Sequence, residues 1–158
     1  MDIKIRPSIK QFWAENILLL TLCLFLCLVT IYLYFNMGRY TMFPSLCLFV
    51  LFTILTYRYL VLSALNWTIS QEVIYQRRGV AFSVTDHLEM YRIIDYQETQ
   101  TPFQKLLNIK TVLLVSTDKL NSLIEVKGLP ENSRLMSIIR ERVELCKLNK
   151  RIYEVTNN

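Results

Sequence analysis

Residues 17–35, ILLLTLCLFLCLVTIYLYF, make an uncharged apolar run of 19 residues, a segment that few folds can absorb. At about 1.5 Å per residue, a helix of that length covers roughly the 30 Å hydrocarbon core of a bilayer. Thr21 and Thr30 do not spoil the span, because a helical hydroxyl returns its hydrogen bond to the backbone. A second run follows at 42–65, broken only by Arg58. The link from Asn36 to Thr41 contains Gly38, and Pro44 falls where a first helical turn tolerates it. Two such runs joined so closely predict an antiparallel transmembrane hairpin, with spans at 17–35 and 42–65. A basic start before an apolar core is also the pattern of a signal peptide. Here the core is too long, no small-residue cleavage site follows, and a second span comes next.

Charge and aromatic placement set the expected topology. Lys4, Arg6 and Lys10 precede the first run; Arg58, Arg77 and Arg78 lie at or after the end of the second; the link has only Arg39. The positive-inside rule then places both termini in the cytoplasm of a multi-pass inner-membrane protein. Residues 1–16 are expected to be a cytoplasmic N-terminal segment and 66–158 a cytoplasmic domain. Trp13, Tyr57, Tyr59 and Trp67 are the expected interfacial anchors, and Arg58 a residue whose long stem carries its charge to the headgroups. Cys23, Cys27, Cys47 and Cys146 form no CxxC pair and His87 is the single histidine. That spacing argues against a zinc site or a disulfide framework and for thiols packed between helices.

After Asn66 the pattern changes to short strands punctuated by turns. Extended pieces are expected at 67–69, 73–78, ending at Gly79, and 80–83, with the pattern continuing through Leu88 and Met90 to 93–99. Thr101 and Pro102 open a capped single helical turn. TVLLVST, at 111–117, reads as a strand buried on both faces, and 122–127 pairs back and stops at Gly128. A helix from Pro130 or Glu131 to about Arg151 carries Leu135, Ile138, Ile139, Val143 and Cys146 at helical spacing. Six or so antiparallel strands and one closing helix make an open barrel or rolled sheet.

Two spans, an aromatic-led strand (NWTIS), a strand ending in a glycine turn (VIYQRRGV), the segment YRIIDYQETQTPFQKLLNIKTVLLVST, a hairpin ending KGLPE and a terminal helix occur here in that order. This arrangement resembles the bacterial membrane-anchored pleckstrin-homology-like (PH-like) proteins over residues 40–150. Asn108 stands where that family usually has glycine, and asparagine tolerates a positive φ. The resemblance implies an α+β membrane protein, a two-helix transmembrane hairpin followed by a bent seven-stranded antiparallel β-barrel with a C-terminal helix. It implies no activity, since fold alone does not fix function.

No constellation for catalysis is visible. His87 stands alone, Asp95 and Glu98 point to opposite faces of a strand, and the three glycines make no phosphate-cradling loop. The expectation is a chain that is not an enzyme, with no catalytic residue, cofactor or metal. After residue 70, 13 basic residues face 11 acidic ones, too even a balance for a nucleic-acid binder. The expected partners are the lipid bilayer, a membrane or cytoplasmic protein, and a second copy of the chain. The first functional reading is a scaffold that recruits proteins at the cytoplasmic membrane face. The second is a sensor of anionic lipid headgroups through Arg58, Arg77 and Arg78.

Overall fold

A computed structural model describes residues 2–37, 41–119 and 121–150. The chain opens with a strand, β1 (Ile3–Ile5), and continues into two long helices, α1 (Ile9–Met37) and α2 (Met42–Ala64). Both helices are long and apolar enough to cross a membrane, and their outer sides expose Phe25, Phe35, Phe49 and Phe52. The expected link at Gly38, Arg39 and Tyr40 lies outside the described residues. α1 begins before the expected span, at Ile9, and breaks at Asn16 (φ −114°, ψ 15°). There the Asn16 amide returns to the Phe12 carbonyl at 2.8 Å and accepts from Arg58 Nη1 at 2.5 Å. The break therefore divides a short docking helix from the apolar run, and α2 supplies the group that holds it.

Among the described residues seven strands, six of them after the helices, form two separate sheets. β2 (Asn66–Ile69), β3 (Val73–Arg78) and β4 (Val84–Glu89) join β1 in the antiparallel order β1-β2-β3-β4. A 3-10 turn (Met90–Arg92) leads to β5 (Ile93–Thr99), and β5, β6 (Ile109–Ser116) and β7 (Leu123–Pro130) form the second sheet. α3 (Pro102–Leu106) sits between β5 and β6, and α4 (Leu135–Asn149) closes the core with Leu135, Ile139, Val143 and Cys146. The expected barrel is thus not closed: hydrogen bonding stops between the four-stranded and three-stranded sheets, and side chains fill the space between them.

The largest departure from expectation is β1. Residues 1–16 are not a separate segment, because Ile3, Lys4 and Ile5 pair with Ile69, Thr68 and Trp67. The two helices are therefore inserted between neighbouring strands of one sheet, and the residues before α1 lie on the same side as those after α2. Ile3 and Ile5 pack on the core, an alternation three residues long and too short to stand out beside the apolar runs. Trp67, expected as an interfacial anchor, is 1% exposed within that core. The strand that follows α2 turns its aromatic side chain into the core. Smaller corrections concern boundaries. Residues 80–83 are a bend, and the strand is Val84–Glu89, which takes in the polar Thr85-Asp86-His87. β7 runs through Gly128 (φ 71°), where a Cβ would stand 2.9 Å from the Ser8 nitrogen. α4 starts only at Leu135, and Arg151 lies outside the described residues. Cys27 and Cys47 are exposed, because one helix neighbour covers only one face of each long helix.

A polar joint fixes the helices to the domain. Gln104, 4% exposed, donates to Gln11 Oε1 at 2.8 Å and to Thr111 Oγ1 at 2.9 Å. Gln11, 2% exposed, donates to Glu15 Oε1 at 2.8 Å. Lys127 on β7 sits 3.3 Å from Glu15 and 3.1 Å from Glu125. Burial works against the Lys127 charge, but the two carboxylates outweigh it and raise its pKa. Phe12 meets Tyr59 edge-to-face at 5.7 Å, so α1, α2 and the second sheet meet at one point.

Candidate functional site

Alternation along the first sheet decides which side chains share a face. Ile5, Trp67, Ile69, Ile74 and Leu88 point into the core, so their neighbours point out. One outward row runs Lys4, Thr68, Tyr75, His87 and a second runs Asn66, Arg77, Thr85, with Arg6 following β1 beside them. Lys4, Arg6, Asn66, Thr68, Tyr75 and Arg77 line an open cavity of about 360 Å³ on this face. Two strand spacings of about 4.8 Å and a two-residue offset of about 6.7 Å along the strand set the backbones of Lys4 and Arg77 roughly 12 Å apart.

Lys4, Arg6 and Arg77 are exposed, and among the described residues none of them has a hydrogen-bond or ion-pair partner. Among the described residues no carboxylate lines the cavity. Elsewhere most cations are spoken for: Arg92 pairs with Glu89 and Asp118, Lys110 with Glu98, Arg140 with Glu144. Three free cations that share one face make a local positive potential suited to an anionic group. Tyr75 adds a ring edge-to-face with His87 at 5.0 Å, and Asn66 and Thr68 add neutral donors.

The expected contact residues do not act together. Arg77 belongs to this face, but Arg78 points to the opposite side and pairs with Asp86 at 3.0 Å. Arg58 stands apart, at a second cavity of about 350 Å³ lined also by Glu15, Asn16 and Lys127. Of the expected anchors, Trp13, Tyr57 and Tyr59 are exposed on the helices. In the sequence Lys4 and Arg6 are visible only as charges that set topology. Their one signal was the alternation Ile3-Lys4-Ile5, which marks a strand with a basic outer face.

A family model for the bacterial PH domain matches residues 10–144. The chain belongs to the bacterial PH domain family. No curated protein and no solved structure matches it. The matched stretch runs from the first turn of α1 into α4, so this bacterial PH domain carries its two long helices inside the family's span. β1, Lys4 and Arg6 precede that stretch. A PH-like domain is in general a module for binding or scaffolding.

Proposed function

We propose that this bacterial PH domain is a non-enzymatic, membrane-anchored scaffold that holds a protein partner at the cytoplasmic face of the inner membrane. α1 and α2 are the anchor. The pairing of β1 with β2 requires that a chain crossing with α1 return with α2, and the basic flanks favour the cytoplasm for that side. The observation that carries the reading is the unpaired basic face of Lys4, Arg6 and Arg77. It extends along three strands, wider than one headgroup needs, and suits an acidic segment of a partner protein. The buried joint around Gln104 supports the same reading, since it keeps that face at a fixed height above the bilayer and raises the effective concentration of a membrane-bound partner.

A second reading has its own support. Arg6 and Arg77 lie level with Asn66, where α2 ends, within reach of anionic headgroups. Each basic residue near such a surface contributes about 1 kcal/mol.

The deciding experiment reverses the face in the full-length chain with Lys4→Glu, Arg6→Glu and Arg77→Glu together. Crosslinking in native membranes, with mass spectrometry of proteins and of co-purifying lipids, reads the result. Loss of a stoichiometric protein neighbour fits the scaffold. Loss of anionic lipid with the protein neighbours unchanged fits the second reading. No change in either sinks both.

A further inference from the structure

The end of the domain that meets the helices carries apolar side chains that the domain leaves uncovered. Strand register locates it. β2 leaves α2 at Asn66, Arg77 on the returning strand lies opposite Asn66, and Arg78 pairs with Val84. The turn at 79–83 therefore lies beside the last turn of α2. On the other flank α3 packs against the start of α1, through Gln104 on Gln11 and through Lys10 Nζ on the Leu107 carbonyl at 3.2 Å. At this end Phe82 is 88% exposed and Leu106 79%, with Val80 and Phe103 about half exposed beside them. The opposite end is treated differently. There α4 closes over the turn at 70–72, with Arg142 donating to the Ile69 and Ser70 carbonyls and Cys146 to that of Gln71.

The exposed turn is built and narrow. Gly79 has φ +107°, and a Cβ there would lie 1.9 Å from the Phe82 carbonyl oxygen. Only glycine closes this turn, and the closed turn carries Phe82 outward. Cations stand beside both apolar prongs, Arg77 by the turn and Lys10 and Lys105 by α3. Apolar tips with a basic collar are the composition of segments that lie in a membrane interface. The surface is also continuous with the outer sides of α1 and α2, where Trp13 and Tyr59 are exposed at the same level.

We propose that the turn at 79–83 and α3 seat the domain in the interfacial layer of the same bilayer that α1 and α2 cross. Phe82 and Leu106 enter below the headgroups, and Lys10 and Lys105 stay among the phosphates. The seat rests on the membrane-spanning reading of the two helices. It gives the domain contacts on both flanks of its stalk, which fixes its tilt as well as its height.

The test places the photocrosslinker p-benzoylphenylalanine at one position at a time in the full-length chain, in vesicles of phosphatidylcholine and phosphatidylglycerol. Positions 82 and 106 probe the seat, 25 in α1 reports the span, and 123 at the opposite end of β7 is the outgroup. Lipid adducts are expected at 25, 82 and 106 and none at 123. Lipid at 25 with none at 82 and 106 overturns the seat and leaves the spans standing. Adducts at 82 to a second copy in place of lipid overturn it as well, as does lipid at 123 equal to that at 82. No lipid at 25 removes the spans and the seat together.

Discussion

Two residues show how far local chemistry carries. Trp67 follows directly on an apolar helix, and an aromatic in that position reads as an anchor; its strand neighbours decide otherwise. It packs among Ile5, Ile69 and the rest of the core, with its indole N–H unpartnered among the described residues. Trp67→Ala is expected to cost about 3–5 kcal/mol, as large core truncations do, read as a fall in the unfolding midpoint. An interfacial anchor would leave the unfolding midpoint unchanged. Asn108, by contrast, behaves as its chemistry foretells. It takes φ 54°, its N–H donates to the Lys105 carbonyl, and its carbonyl accepts from Glu131. Asn108→Gly is expected to stay within about 1 kcal/mol of wild type, whereas Asn108→Val costs about 2 kcal/mol, because a left-handed conformation is strained for a β-branched residue. Equal effects of the two in chemical denaturation would contradict that account.

At the level of the element, α3 is written out in local sequence. Thr101 and Gln104 form a reciprocal capping box and Pro102 stands in the first turn, so Thr101→Ala is expected to cost about 1 kcal/mol. The second task of Gln104 could not be read, since its partner Gln11 is distant in sequence and belongs to another helix. Gln104→Leu removes two donated hydrogen bonds and leaves Gln11 and Thr111 buried without them. A loss of about 1–3 kcal/mol follows, with faster amide hydrogen exchange over residues 9–15 than over β6. The same joint has an alkaline limit. The Lys127 pKa is raised, so the stabilisation from its carboxylates is present below the ordinary lysine range of about 10.4 and is lost as pH rises through the higher folded value. Thermal unfolding followed from pH 9 upward tests this: wild type falls more steeply than Lys127→Met, and parallel curves would remove Lys127 from the joint.

Over the whole molecule, the hairpin is a long insertion in a sheet. If β1 belongs to the domain, a chimera that joins residues 2–6 to 66–150 through an Asn-Gly turn should unfold at a higher temperature than residues 66–150 alone. β1 covers the open edge of β2 and brings Ile3 and Ile5 onto the core. Identical midpoints would reduce β1 to a surface addition. The basic face depends on the same pairing, since Lys4 and Arg6 reach Arg77 only because β1 lies beside β2.

The sequence by itself determined the two apolar helices, most of the strands after Asn66, the capped α3, the turn at Asn108 and membership of a PH-like family. Each of these is written in local periodicity, in turn chemistry or in a contiguous pattern. Only the tertiary structure decided that the sheets stay separate, that the first strand comes from before the helices, that Trp67 lies inside, and that Lys4, Arg6 and Arg77 share a face while Arg78 does not. Those outcomes depend on pairings between residues more than 50 positions apart, such as Ile5 with Trp67, and on the parity of each strand in the sheet. Neither leaves a mark on the residues next to it in the chain.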